Sequence, residues 1–326
     1  MSRPCAHRDG AVIEAASPAT IARAAALLAA GEIVAMPTET VYGLAADATN
    51  PAAIAAIYAA KGRPRFNPLI LHVRDLEEAE AHAALHPLAR DLATRFWPGP
   101  LTLVAPRRAE STVAELACAG LASVALRAPA HRVAQALLNA MGRPLAAPSA
   151  NRSGQVSPTR ARDVDAELGA RVPLIVDGGA CAVGLESTIV AIGADGQAAL
   201  LRPGAVTRAA IEAVTGPLAA ARAGAVEAPG MLASHYAPRA RLRLDADAPR
   251  AGEAYLAFGP DAPAHARNLS PRGDLAEAAA RLYASLRALD AQGPAVIAVA
   301  PIPGEGLGEA IRDRLARAAA PRGASD

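Results

Sequence analysis

Three cations fall within five residues at Lys61-Gly62-Arg63-Pro64-Arg65, followed by Phe66-Asn67-Pro68 and the apolar run Leu69-Ile70-Leu71-His72-Val73. Gly and Pro interrupt the charges, so they do not form a helix face. They read as a rigid loop that aims positive charge at one place. A polyphosphate needs such a loop, with Arg for forked contacts and Lys as a point charge. The competing reading is a solvated surface turn. Lys61 gains weight from composition: of 33 basic residues it is the one lysine, and the others are arginine. In an Arg-dominated chain a surviving Lys marks a position where a guanidinium does not replace a compact ammonium. Lys61 and Arg63 are therefore the candidate catalytic cations.

Other blocks carry similar chemistry. Pro37-Thr38-Glu39-Thr40-Val41-Tyr42-Gly43-Leu44 is a strand end turning through hydroxyls and a Gly. Residues 147–159 (Ala-Pro-Ser-Ala-Asn-Arg-Ser-Gly-Gln-Val-Ser-Pro-Thr) form a polar loop able to cradle phosphate or ribose, or alternatively an ordinary turn cluster. Gly184-Leu185-Glu186-Ser187-Thr188-Ile189-Val190 and Leu201-Arg202-Pro203-Gly204 follow, then Pro229-Gly230-Met231 and His235-Tyr236-Ala237-Pro238. The chain has nine aromatics, and Tyr42 and Tyr236 both fall in these blocks. His72 sits in an apolar strand, where a satisfied core histidine is the ordinary case. No His, Cys, Asp or Glu spacing suggests a metal cage.

Short apolar runs alternating with Ala/Leu helical patterns must position these blocks, which is the pattern of an α/β domain. Strands are expected at 33–36, 69–73, 101–105, 123–127, 174–177, 187–192 and 199–201. Helices are expected at 18–30, 51–60, 88–96, 131–141, 161–168 and 208–214. Ser17 and Asn50 are plausible caps, with Pro18 and Pro51 in the first turns. From 216 to 239 Gly, Pro and Ala dominate and periodicity fades. Strands at 240–244, 254–258 and 295–300 and helices at 274–289 and 308–319 then fit a small Rossmann-like domain without a GxGxxG. The expected division is a catalytic domain at 1–215, a linker or lid at 216–239 and a second domain at 240–326.

Composition sets limits. A net charge of +2 argues against a protein that lives on non-specific attraction to nucleic acid or anionic membrane. Cys5, Cys118 and Cys181 are odd in number and contain no CxxC, so a zinc ribbon is excluded and a reducing compartment is expected. No apolar run approaches a membrane span. Residues 21–30 are apolar after Arg3 and Arg8, but Asp9, Glu14 and Arg23 break a signal-peptide pattern. A cytoplasmic location is expected.

In this order, PTETVYGL, KxR with NPLILHV, SAN with SPT, GLESTIV, LRPG and HYAP resemble the threonylcarbamoyl-AMP synthases. The likeness is to the long, two-domain form of the YrdC-like family. It runs over residues 16–241, and the C-terminal segment fits by position and texture. The resemblance implies a twisted mixed α/β sheet with a concave basic cleft. It implies condensation of L-threonine, bicarbonate and ATP into L-threonylcarbamoyl-AMP with release of pyrophosphate. The product would pass to a tRNA threonylcarbamoyl transferase complex, without stable tRNA binding by this chain. Family roles put threonine near Thr40, His72, Arg127, Ala147 and Ser187. They put ATP near Arg63, Asn67, Ser123, Ser149, Ser157 and Arg202, with Lys61 and Asn151 lining the cleft. Ser123 stands where the family often has Thr, and Ala233 where a larger residue is usual. Mg²⁺ is expected to arrive with ATP, held by phosphates and water.

The segment 228–238 is expected to close over the cleft as a lid, His235 and Tyr236 reaching nucleotide or phosphate. The alternative function is an RNA-binding module using the same cleft. Near-zero net charge and few aromatics argue against it.

Overall fold

The computed structural model describes residues 11–193, 195–219, 228 and 234–321. Cys5, Pro229-Gly230-Met231 and Ala233 lie outside the described residues. In chain order the first part contains β1 (Val12–Ala15), α1 (Pro18–Ala29), β2 (Val34–Met36), β3 (Gly43–Asp47), α2 (Pro51–Lys61) and β4 (Ile70–His72). It continues with α3 (Leu76–His82), α4 (Pro87–Phe96), β5 (Leu101–Pro106), β6 (Ser123–Arg127), α5 (Arg132–Met141) and β7 (Leu145–Ala146). The elements α6 (Ala161–Leu168), β8 (Leu174–Asp177), β9 (Thr188–Ile192), β10 (Ala198–Arg202) and α7 (Arg208–Thr215) complete it. The ten strands form one mixed sheet in the order β1-β8-β2-β3-β7-β4-β6-β5-β9-β10.

Side-chain alternation divides this sheet into two unequal faces. Ala35, Leu44, Ala46, Leu71, Leu103, Leu126 and Val190 point to one face and form the main core with α2, α4, α6 and α7. Val34, Met36, Ala45, Leu145, Leu174 and Val176 point to the other, where α1 and α5 cover them. Those two helices reach only half of that face. On the other half Ile70, Val104, Ala125, Ile189 and Leu201 pack around Ala228 of the linker. No buried residue of α1 or α5 belongs to that second cluster, which is where the motif loops end.

Caps place the first cationic loop. Asn50 accepts from the N–H groups of Ala52 and Ala53 to start α2, and Gly62 ends it in the left-handed region at φ 60°. That turn sends Arg63 back toward β4.

The second part contains β11 (Arg241–Arg243), β12 (Ala254–Ala257), β13 (Arg267–Asn268), α8 (Leu275–Asp290), β14 (Val296–Val299) and α9 (Leu307–Ala319). Its sheet is parallel, in the order β11-β14-β12-β13. One core joins α8, α9, Leu256, Ile297 and Val299 to Val41, Val156, Leu185 and Tyr236 of the first part and the linker. The two parts therefore share a buried apolar interface.

Most expected elements appear within one or two residues of their expected ends. β1, β3, β7, α3 and β13 were not expected. β3 is Gly-Leu-Ala-Ala-Asp, wholly buried yet without a β-branched residue, so propensity is silent and pairing with β2 and β7 decides it. β7 and β13 are two residues each, too short for periodicity. No described helix is long and apolar enough to cross a membrane.

The interface turns on Gly184. It sits at φ 74°, and a Cβ there would lie 2.6 Å from both the Ala279 carbonyl oxygen and the Ala280 Cα of α8. Gly184→Ala should destabilise the protein by about 2–4 kcal/mol through backbone strain and overpacking. Urea melts read this, and an unchanged midpoint would show that α8 yields without cost.

Candidate active site

The motif loops converge on one cavity of about 50 Å³. Ile70 and His72 alternate on β4, and Arg127 pairs with His72 across the parallel β4–β6 ladder, so all three face it. Thr40, Arg63, Ala147, Ser149, Ser187, Arg202, His235 and Tyr236 join them in its wall. Ten of the residues expected from the sequence therefore meet in one place.

Arg127 is aimed by three bonds. Its Nε donates to the Gly99 carbonyl (3.2 Å), Nη1 to Thr40 Oγ1 (2.9 Å) and Nη2 to Glu39 Oε1 (2.6 Å). Glu39 is itself held by the Ala130 N–H. Thr38 donates its hydroxyl to the Val41 carbonyl (2.6 Å), so in the Thr38–Thr40 pair Thr40 is the donor. Arg127 keeps one hydrogen on each Nη without a partner among the described residues. That fork suits a carboxylate.

Arg202 donates through Nε and Nη2 to the Ser187 carbonyl and through Nη2 to Ser187 Oγ (3.2 Å), and Ser187 Oγ also meets Thr102 Oγ1 (2.7 Å). Arg63 donates to the carbonyls of Asn67 (3.2 Å) and Pro68 (2.8 Å). Asn67 is fully buried, and neither atom of its side-chain amide has a partner. A buried orphan amide beside Arg63 fits a polar ligand. His72 and His235 are buried, and burial pushes each down to about 3, so both imidazoles are neutral near pH 7.

Five expected residues do not line the cavity. Ser123 is on the same face as Arg127 but four residues away on β6, about 13 Å along the strand. Asn67 meets Arg63 through its backbone carbonyl and is not in the wall. Asn151 donates to the carbonyls of Arg152 and Gln155, which shapes its own loop. Ser157 Oγ donates to Glu186 Oε1 (2.5 Å), so its proton is already engaged.

Lys61 departs most from its expected role as a phosphate-facing cation. It is 3% exposed, and its Nζ donates to the carbonyls of Ser149 and Asn151, both at 2.5 Å. Burial, with Arg63 nearby, lowers its pKa well below the ordinary lysine value. In this structure Lys61 holds the 149–151 loop rather than the ligand space.

Glu186 lines the cavity and was quoted in a motif without a role. Its oxygens accept from Ser157, from Tyr283 (2.8 Å) and from Arg314 (2.8 Å). Nothing in the sequence pairs it with residues 97 and 128 positions away. Among the described residues no group of three or more His, Cys, Asp or Glu could hold a metal, and the one carboxylate in the wall is saturated. The described side chains of the cavity wall therefore offer a resident metal no open set of ligands.

The described end of the linker packs beside the cavity and puts His235 and Tyr236 in its wall. Ala237 N–H donates to the Gly154 carbonyl (2.9 Å), and His235 N–H to the Arg317 carbonyl of α9 (3.2 Å). Tyr236 is buried at φ 63°, stacked on Tyr283 at 5.9 Å between ring centroids.

A family model described as "Telomere recombination" (Sua5/YciO/YrdC) matches residues 26–204. One described as "Threonylcarbamoyl-AMP synthase, C-terminal domain" matches residues 206–320. The chain is 40% identical to the Bacillus subtilis threonylcarbamoyl-AMP synthase, over 93% of each sequence. It is similar to the crystal structure of Pyrococcus abyssi Sua5 complexed with L-threonine (36% identity, TM-score 0.85, 94% of this chain and 96% of that one). A His/Tyr double-alanine variant of P. abyssi Sua5 superposes as well (34% identity, TM-score 0.86, 95% and 96% covered).

Two outcomes follow from the buried groups. Lys61→Met should lower the melting temperature together with activity, because the 149–151 loop loses its anchor. Activity lost at unchanged melting temperature would return Lys61 to a ligand-facing role. The second outcome concerns pH. His72 and His235 titrate near 3 when folded and near 6.5 when unfolded, so the unfolded state binds protons first. Stability should fall as pH drops from about 6.5 toward 3, by about 2 kcal/mol per histidine at pH 5. Urea melts at pH 7 and 5 measure it, and His72→Asn should flatten the slope. Equal stability at the two pH values would show that neither histidine is held neutral.

Proposed function

The chain belongs to the threonylcarbamoyl-AMP synthase family, and on that premise we propose that it condenses L-threonine, bicarbonate and ATP into L-threonylcarbamoyl-AMP and pyrophosphate. The observation that carries this reading is the joining of Arg127, a fork aimed for a carboxylate, with Arg63 and Arg202 in one buried cavity. Bicarbonate and the threonine amine give a carbamate and water. A carbamate oxygen attacks the α-phosphorus, the bond to the bridging oxygen breaks, and pyrophosphate leaves with the electron pair. Such a displacement asks for alignment and for cations where charge collects, with little proton transfer.

In this reading Arg127 receives the threonine carboxylate; that P. abyssi Sua5 was solved with L-threonine supports a threonine site in this chain. Thr40 and neutral His72 orient the rest of the amino acid. Arg63 and Arg202 take the nucleotide. Mg²⁺ comes with ATP, because the cavity wall offers it no open carboxylate. A cavity of about 50 Å³ is far below the several hundred Å³ that ligand pockets of nucleotide size occupy. His235 and Tyr236 must therefore move for ATP to enter, and their return excludes water from a labile adenylate. The product then passes to a tRNA threonylcarbamoyl transferase complex in the cytoplasm, and this chain does not itself hold tRNA stably.

The test is pyrophosphate release from ATP with threonine and bicarbonate each omitted in turn. Release should require both. Equal turnover without threonine would overturn the reading.

A further inference from the structure

Glu186 is the one carboxylate among the described residues of a cavity wall that also carries Arg63, Arg127 and Arg202. A loose anion there would repel a polyanionic ligand, and in a buried site the repulsion is large. Yet both its oxygens are engaged, and two of its three donors come from the second domain, Tyr283 on α8 and Arg314 on α9. Burial alone would raise the Glu186 pKa, but Arg314 and Arg202 bring it down to about 2, so it is an anion at working pH.

Arg314 is 1% exposed. Its Nε donates to Glu186, its Nη1 to Asp313 (2.6 Å) and its Nη2 to the carbonyl of Pro203 (2.9 Å), next to Arg202. Its guanidinium carbon lies 5.3 Å from the centroid of the Tyr236 ring. One second-domain side chain thus reaches the GLEST, LRPG and HYAP segments together. The other inter-domain ion pairs, Arg208 with Glu309 (2.6 Å) on the surface and Arg287 with Glu167 (3.0 Å), touch none of them.

We propose that Arg314, assisted by Tyr283, is a positioning residue for nucleotide binding: it neutralises Glu186 and holds that carboxylate back from incoming phosphates. The second domain is then part of the electrostatics of the site as well as an anchor for the linker. The inference rests on the synthase reading, since it needs ATP in this cavity. Its signature is that losses scale with ligand charge, because the penalty is repulsion by one uncovered anion. ATP should suffer most, AMP less and zwitterionic threonine least. A general loosening of the interface would weaken all three alike.

The experiment is calorimetric binding of a non-hydrolysable ATP analogue, AMP and threonine to the full-length protein, beside melting curves. Arg314→Gln should weaken the ATP analogue at least tenfold and threonine less than threefold. Glu186→Gln combined with Arg314→Gln should recover analogue binding to within threefold of wild type, since no anion remains. Arg208→Gln should change neither ligand. If Arg314→Gln does not fold, Arg314→Lys, which keeps the charge, should stay within threefold for the analogue. Tyr283→Phe should then lose two- to fivefold for the analogue and nothing for threonine. The proposal is overturned if the double variant binds the analogue as poorly as Arg314→Gln. It is also overturned if the variants tested weaken threonine and analogue equally. Wild type that binds the analogue but makes no adenylate would sink the synthase reading alone, because the binding comparison stands without turnover.

Discussion

Five cations, Lys61, Arg63, Arg127, Arg202 and Arg314, are each at most 8% exposed in the folded chain. Taking an ion out of water costs several kcal/mol unless partners replace the lost solvent. Carboxylates supply little of that replacement: Glu39 serves Arg127, and Glu186 and Asp313 serve Arg314. Beside the Thr40 and Ser187 hydroxyls, backbone carbonyls supply much of it, at Asn67, Pro68, Gly99, Ser149, Asn151, Ser187 and Pro203. None of these seven lies inside a strand or helix. A carbonyl in a ladder is already used, whereas a turn leaves it free to point at a cation. The Pro-, Gly- and Ser-rich motif loops are therefore the solvent of the buried charges, and the sheet and helices hold those loops in place.

Partial neutralisation by carbonyls has a chemical consequence. Carbonyl dipoles fix a guanidinium without cancelling its charge, so Arg63, held by the carbonyls of Asn67 and Pro68, is oriented and still able to attract an anion. The groups are in position before the ligand arrives, and little reorganisation is left for the moment of reaction. One full carboxylate facing the same space would undo this, and for that reason the contacts around Glu186 matter more than its distance from any motif suggests.

The sequence made the site more legible than the joints that support it. Motif residues at loop ends were readable because hydroxyls, amides and cations stand out against an Ala-rich background. Strands such as Ser123–Arg127 and Leu174–Asp177 were readable because β-branched and Leu residues are bounded by turn signals. β3 was not, because its Gly-Leu-Ala-Ala-Asp run owes its conformation to two neighbouring strands. Ser123 shows a different limit: alternation puts it on the correct face, but four residues of strand carry it beyond the cavity. Glu186 with Arg314 shows the third. A pair 128 residues apart has no local signature, and only domain packing brings it together.

Lys61 joins these threads. Its rarity pointed to a special position, and phosphate was the natural guess for a cation between Gly- and Pro-rich turns. The geometry gives a different reason for lysine. Two carbonyls from one tight loop, Ser149 and Asn151, converge on a single nitrogen at 2.5 Å each. A tetrahedral ammonium meets two such acceptors from one point, whereas a planar guanidinium spreads its donors over a wider fork and adds volume in a filled site. The same burial lowers the lysine pKa well below its ordinary value. The position therefore suits lysine in size and in convergent geometry, and the loop that it holds presents Ser149 to the cavity.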